Sequence, residues 1–148
     1  MASYYPPSGF HFKVEFTGVD GANADAEQRF QEVSGLSVEV ETVALREGGE
    51  NRFEYKLPRI AKYPNLVLKR GFVTNESLNK WCSNAIENLE IQPIPVVVSL
   101  MNENHEPLKS YAFINAYPLK WSISNFNAET SSIVIETIEL YYQFFRTL

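Results

Sequence analysis

The chain has 148 residues, 45% of them hydrophobic and 21% charged, which is the composition of one globular domain with a core of its own. Its formal net charge is −5, so the chain lacks a surplus of lysine and arginine. Sequence-independent binding to nucleic acid or to anionic lipid needs such a surplus and is therefore excluded. The single cysteine, Cys82, excludes an internal disulfide and indicates folding in a reducing cytoplasm.

The start of the chain is predicted to be an N-terminal arm. Residues 1–9 are polar and contain proline, with neither the basic start nor the apolar stretch of a secretory signal. No apolar run approaches the roughly 20 residues that span a bilayer, so the sequence predicts no membrane anchor.

The first strands follow directly. From Phe10 to Thr17, apolar and polar residues alternate, which predicts a strand with one buried face. Residues 18–23 are predicted to form a loop. A second strand is predicted at 28–33, ending at Ser34 and Gly35.

Residues 37–57 are predicted to form a long hairpin. Val, Thr and Glu nearly alternate at 37–47, residues 48–51 form a flexible turn, and alternation resumes at 52–57. Pro58 is expected to end the second strand because proline cannot donate to a ladder. A lone hairpin is marginal in water, so an apolar face with Val38, Val40, Phe53, Tyr55 and Leu57 is expected to need a partner surface.

One helix is predicted at 75–89, with Thr74 or Asn75 as its N-cap. Its predicted apolar face consists of Leu78, Trp81, Cys82, Ala85, Ile86 and Leu89. Strands are predicted at 66–68, 96–101, 109–123 with a bend at Pro118, and 133–145. Roughly seven strands and one mid-chain helix favour a mainly β domain, a barrel or sandwich with the helix packed on it.

The sequence shows no constellation of residues that indicates catalysis or metal binding. His11 and His105 lie far apart in sequence, whereas a metal site needs clustered ligands, so both are interpreted as surface residues. Cys82 lies on the apolar helix face and is interpreted as a core residue. No catalytic, metal-binding or cofactor-binding residue is predicted, and no cofactor is expected.

Two motifs in the hairpin invite a chemical interpretation. Glu39 and Glu41 could be a carboxylate pair for glycoside chemistry, but their alternation with Val38 and Val40 is typical of a solvated strand face. The glycine pair at 48–49 lacks the helix and the Gly-Lys-Ser/Thr ending of a phosphate loop. Both motifs are therefore interpreted as structural.

The order of these features resembles the contractile-phage tail-tube protein family. The resemblance is carried by EVSGL at 32–36, the turn EGGEN at 47–51, KLP at 56–58, PNLVLKRG at 64–71 and the helix with Trp81, and it extends from about Phe10 to Phe145. Inner-tube proteins of extracellular contractile injection systems are relatives, and the hemolysin-coregulated tube protein of type VI secretion shares the fold.

The resemblance implies a single domain over 1–148, a β-barrel with one flanking helix and a protruding hairpin, and no catalytic residues. It implies hexameric rings that stack into a hollow tube inside a contractile sheath, with sheath, baseplate and tube-terminator proteins as partners and protein or DNA as cargo. It also implies synthesis in a bacterial cytoplasm without a signal peptide.

The hairpin is the predicted assembly element, with the apolar face covered by a neighbouring subunit and the tip contacting the next ring. The predicted interface residues are Val38, Val40, Arg46, Glu47, Gly48, Gly49, Glu50, Asn51, Arg52, Phe53, Tyr55 and Leu57. The predicted lumen-facing residues are Glu39, Glu41, Glu54 and Lys56. Two other interpretations stay open: a monomeric β-barrel that binds a small ligand in an apolar pocket, and an enzyme.

Overall fold

The computed structural model describes residues 11–19, 29–49, 51–71, 76–124 and 134–148. Within these ranges the elements are β1 (His11–Phe16), β2 (Arg29–Phe30), β3 (Glu32–Ser34), β4 (Glu39–Leu45), β5 (Tyr55–Lys62), β6 (Leu66–Gly71), α1 (Glu76–Glu87), β7 (Ile94–Met101), β8 (Pro107–Ile123), β9 (Ile135–Tyr141) and β10 (Phe144–Thr147). Several predicted features lie outside the described residues: the arm at 1–9, the strand starts at Phe10, Gln28 and Ile133, Glu50, and the cap at Thr74 or Asn75.

Eight strands form an antiparallel sheet in the order β2-β1-β7-β8-β9-β6-β3, with β10 paired to β8. The 17-residue strand β8 links its two halves, because its first part pairs with β7 and β10 and its second part pairs with β9. The predicted bend at Pro118 coincides with a shift in register between Pro118 and Lys120. The sheet is not closed into a barrel, so the sandwich is the predicted alternative that is observed.

The core is built by strict alternation along the strands. The residues with no exposed surface include Val14, Phe16, Leu66, Leu68, Val96, Val98, Phe113, Ile138 and Leu140. Within each strand, consecutive buried residues such as Val14 and Phe16 are two positions apart, as expected when one face of a strand is buried. The predicted inward face of β1 is therefore confirmed at Val14 and Phe16.

Helix α1 covers this core with the first part of its predicted apolar face. Leu78, Trp81, Cys82 and Ala85 are buried, and the Trp81 ring packs edge-on against Phe16 at 5.9 Å between centroids. Ile86 and Leu89, which were predicted to lie on the same face, are 40% and 78% exposed in the single chain. The helix ends at Glu87, and Leu89 takes a left-handed φ of 55°, so the helical spacing no longer applies to it.

A buried ion pair lies in the core, and the sequence interpretation did not identify it. Arg70 on β6 stands directly opposite Glu136 on β9, and Arg70 Nε donates to Glu136 Oε2 at 2.9 Å. Trp121 Nε1 donates to the other carboxylate oxygen at 2.8 Å. Arg70 also follows Leu66 and Leu68 at a spacing of two, so its inward direction was readable from the alternation.

Cys82 lies close to this pair. Burial, with a smaller contribution from the Glu136 carboxylate, raises the pKa of the Cys82 thiol to about 12. The thiol is therefore neutral at physiological pH and unsuited to nucleophilic chemistry. The interpretation of Cys82 as a core residue is confirmed, since it is 2% exposed.

Candidate assembly surface

Strands β4 and β5 form a two-stranded sheet of their own, separate from the main sheet. Each strand extends roughly 25 Å at the usual rise of an extended chain. Every described residue from Ser37 to Lys62 is exposed. The predicted long hairpin thus exists, and it projects from the domain with both outer edges unpaired by the described strands.

The tip of the hairpin has the turn chemistry that its sequence indicates. Gly49 has φ of 93°, a conformation that residues with a Cβ rarely adopt. Arg46 and Glu54 close the turn with an ion pair of 3.1 Å between Nε and Oε1. A Cβ on Gly48 or Gly49 would meet no atom within 4 Å, so the tip stands away from the rest of the described chain.

The second hairpin strand differs from the prediction in its bounds. Pro58 was expected to end the strand, but β5 begins at Tyr55 and continues through Pro58 to Lys62. Pro58 pairs with Thr42, next to a register irregularity between Val40 and Thr42. Proline is tolerated at such a place because edge strands and bulges do not need its missing N–H.

The pairing register determines which residues share a face of the hairpin. Val43 stands opposite Leu57, and Leu45 stands opposite Tyr55. These residues form one face, to which Phe53 also belongs, because its ring contacts that of Tyr55 at 5.1 Å. We call the set Val43, Leu45, Phe53, Tyr55 and Leu57 the apolar hairpin face. Each member is between 42% and 49% exposed.

Val40 does not belong to that face. Val40 lies three positions before Val43, so its side chain is on the other side of the hairpin, together with Thr42 and Ala44. Leu57, which pairs with Val43, is on the side of the apolar hairpin face. The prediction that Val40 shares a face with Tyr55 and Leu57 is therefore wrong. The sequence interpretation missed the two β4 members of the apolar hairpin face, because strand pairing had to be known before the faces of β4 and β5 could be matched.

The charged residues of the hairpin are divided between its two sides. Lys56 pairs with Ala44, on the side opposite to the apolar hairpin face. Glu39 and Glu41 lie four and two positions before Val43, so they are on the same side of the hairpin as Val43. Glu41 lies 3.8 Å from the Arg59 guanidinium. One face cannot hold all four predicted lumen residues, Glu39, Glu41, Glu54 and Lys56.

The base of the hairpin is joined to the sandwich by an aromatic contact. Tyr63, just after β5, packs edge-on against Tyr142 and Phe145, with centroids 6.0 and 5.4 Å apart. Gly35, just before β4, accepts a hydrogen bond from the Tyr142 hydroxyl at 3.4 Å. Burial, then the neighbouring Tyr63, raises the pKa of Tyr142 to about 12, so this hydroxyl stays protonated and able to donate.

Gly35 itself admits no side chain. Its φ is 94°, and a Cβ built there would lie 2.1 Å from the carbonyl oxygen of Asn65. The chain entering β4 thus passes directly against the start of β6. The predicted break at Ser34 and Gly35 is real, and its tertiary role is to direct the hairpin away from the sandwich.

The described residues contain no cluster of three or more His, Cys, Asp or Glu side chains that could hold a metal ion. A groove of about 700 Å³ lies beside β3, β6 and β9, and most of its lining residues are polar, including Gln31, Lys69 and Thr137. Pockets that bind small ligands are lined mainly by hydrophobic and aromatic side chains.

Comparison with known proteins identifies the family. A family model for the T4-like virus tail tube protein gp19 matches residues 8–146. The chain belongs to this tail tube protein family. The resemblance noted in the sequence is thereby confirmed, and with it the structural role of a tail-tube subunit. A search of curated proteins found no match. Among the described residues, no helix is long and apolar enough to cross a membrane.

Chains in several solved structures share the fold. One chain in the cryo-EM structure of the anti-feeding prophage baseplate is 28% identical, with a TM-score of 0.78 over 100% of this chain and 97% of that chain. A chain in the sheath–tube complex of an extracellular contractile injection system is 24% identical, with a TM-score of 0.75 over 98% and 93%. Hcp1 from Salmonella typhimurium is 14% identical, with a TM-score of 0.58 over 93% and 85%.

Proposed function

We propose that this tail tube protein forms hexameric rings that stack into the inner tube of a contractile phage tail or extracellular contractile injection system. Its partners are further copies of itself and the sheath, baseplate and tube-terminator proteins, and the lumen carries protein or DNA cargo. The protein has no catalytic role and is made in the bacterial cytoplasm. The observation that carries the proposal is the unpartnered hairpin β4–β5.

The hairpin is a poor structure for an isolated subunit. An exposed strand edge is a template for pairing with another chain, and soluble monomers usually blunt such edges. A two-stranded sheet also lacks the burial that makes a hairpin stable alone. A ring satisfies both needs, because each hairpin edge can be paired and each apolar hairpin face covered by the neighbouring subunit.

The division of the hairpin into two sides supports a different role for each side. The apolar hairpin face packs against the neighbouring subunit within the ring. The opposite side, with Thr42, Glu54 and Lys56, faces the lumen, where a polar wall lets cargo pass without adhesion. Glu39 and Glu41 lie on the apolar side near the hairpin base and form the polar rim of the interface. The tip at 46–52 contacts the next ring.

The test is sedimentation velocity and negative-stain microscopy of the purified full chain. Rings or stacked tubes are expected, with no dependence on added nucleotide or on chelator. A chain that remains monomeric at every concentration tested contradicts the proposal.

A matched pair of variants tests the assignment of the two sides. Leu57→Glu places a charge on the apolar hairpin face and should abolish rings, whereas Lys56→Glu, on the adjacent residue and the opposite side, should leave them intact. Circular dichroism of both variants controls for folding. Rings that survive Leu57→Glu, or that are lost equally in both variants, would refute this orientation of the hairpin.

A further inference from the structure

The two histidines of the chain meet on the surface of the sandwich, far from the hairpin in sequence. Nε2 of His11, at the start of β1, lies 3.2 Å from Nδ1 of His105, in the turn between β7 and β8. The rings are edge-on, with centroids 4.9 Å apart. The interpretation of both histidines as surface residues is confirmed, since their contact is exposed, and the pairing of β1 with β7 brings them together although they lie far apart in sequence.

We propose that His11 and His105 form a binding site for a divalent transition metal ion, with Zn²⁺, Ni²⁺ and Cu²⁺ as ligands of the right class. The argument begins with distance. Zinc binds imidazole nitrogen at about 2.0–2.1 Å in tetrahedral geometry, which places two ligand nitrogens about 3.4 Å apart. The observed separation of 3.2 Å is close to this distance, so a metal ion could take the place of the hydrogen bond if the two rings rotate to aim their nitrogens at it.

The turn that carries His105 is held in place before any metal arrives. The side-chain oxygen of Asn102 accepts hydrogen bonds from the backbone N–H groups of Asn104 and Glu106, both at 2.9 Å. The backbone N–H of His105 donates to the Asn102 carbonyl at 3.0 Å. On the other side, His11 is fixed by its register with Met101. Little conformational freedom is therefore lost when the two rings share a ligand.

The turn also fixes the backbone of His105. Its φ is 60°, in the left-handed region, which histidine adopts more often than most residues other than glycine. The hydrogen bonds that Asn102 accepts hold this conformation, and the His105 ring lies against that of His11.

The ligand set determines which ions bind. Within the described residues no third His, Cys, Asp or Glu completes a cluster with this pair, so water fills the remaining positions. Imidazole ligands suit Cu²⁺, Ni²⁺ and Zn²⁺, whereas Ca²⁺ and Mg²⁺ prefer oxygen. The site therefore selects transition metals and excludes the hard cations, and it is independent of the hairpin that carries assembly.

Isothermal titration of ZnCl₂, and in parallel NiCl₂, into the full chain tests the proposal, using protein without a polyhistidine tag. One equivalent per chain is expected to bind. His11→Ala and His105→Ala should each lower the affinity by at least about tenfold, since even the partners behind metal ligands contribute that much. MgCl₂ should give no saturable binding.

A second readout separates ligation from a structural effect of the substitutions. Zn²⁺ should shift the imidazole NMR signals of both histidines in the native chain, and circular dichroism should show that both variants keep the native fold. Stoichiometric binding that persists in the His11→Ala, His105→Ala double variant would overturn the proposal. So would the absence of binding and of imidazole shifts in the native chain at millimolar Zn²⁺.

Discussion

The sandwich and the hairpin both consist of strands in which apolar residues alternate with others, but these apolar residues are buried in the sandwich and exposed in the hairpin. In β6 and β9 the alternating apolar residues have no exposed surface, as at Leu68 and Ile138. In β4 and β5 the same alternation leaves Val43 and Leu57 each 49% exposed. Alternation thus specifies that a strand has an apolar face, and the cover of that face can lie in the same chain or in another copy of it.

The comparison predicts that substitutions in the sandwich cost monomer stability, whereas those in the hairpin cost assembly. The largest loss is expected for Trp81→Ala. Trp81 is 6% exposed and contacts Phe16 and the Gln92 carbonyl, so the cavity should lower the free energy of unfolding by about 3–5 kcal/mol. Ile86→Ala on the same helix is the control and should cost well under half as much. Chemical denaturation measures both, and equal losses would contradict the observed helix orientation.

A slightly smaller loss is expected when the buried ion pair is broken. Glu136→Gln leaves the Arg70 guanidinium in the core without its carboxylate, which should cost about 3 kcal/mol. Replacing both partners, as Arg70→Met with Glu136→Leu, should recover much of that loss, because a well-packed apolar pair avoids desolvating two charges. Thermal denaturation compares the variants. If Glu136→Gln is as stable as the native chain, the Glu136 carboxylate does not stabilise the buried Arg70 guanidinium.

Substitution at the hairpin base should lower the stability of the monomer and also impair ring assembly. Gly35→Ala forces a side chain against the Asn65 carbonyl at a left-handed φ and is expected to cost about 1–3 kcal/mol. Because Gly35 directs the chain into β4, the displaced hairpin should also impair ring formation. Ser37→Ala, two residues on and exposed, is the control. Native stability together with native rings in Gly35→Ala would show that the base does not orient the hairpin.

The smallest effect on the monomer is expected at the hairpin tip. Deleting residues 48–51 should leave the free energy of unfolding within about 0.5 kcal/mol of the native value, because exposed loop tips tolerate change. Rings should still form, but stacking into tubes should weaken. Val40→Pro, within β4, should instead remove a ladder donor and disrupt ring closure. Long tubes formed by both variants would contradict the role of the hairpin in assembly.

Local pattern by itself determined much of this protein. Alternation at Val14 and Phe16 determined the inward face of β1, and the glycine pair at 48–49 determined the hairpin turn, because both depend on neighbours in sequence. The ordered set of motifs, which includes those from 32 to 71 and the helix with Trp81, carried the resemblance to the family. The buried helix face was predictable at Leu78, Trp81, Cys82 and Ala85. Ile86, which is still within the helix, and Leu89, which follows its end, are exposed in the single chain.

Only the tertiary structure decided which residues meet across the chain. Strand register matched Val43 with Leu57 and separated Val40 from them, paired Arg70 with Glu136 across 66 positions, and brought His11 to His105 across 94. Sequence periodicity reports the direction of each side chain relative to its own strand and carries no information on pairing partners. Register is set by the packing of the whole sheet, and so the faces of the hairpin and the histidine pair emerged only with the fold.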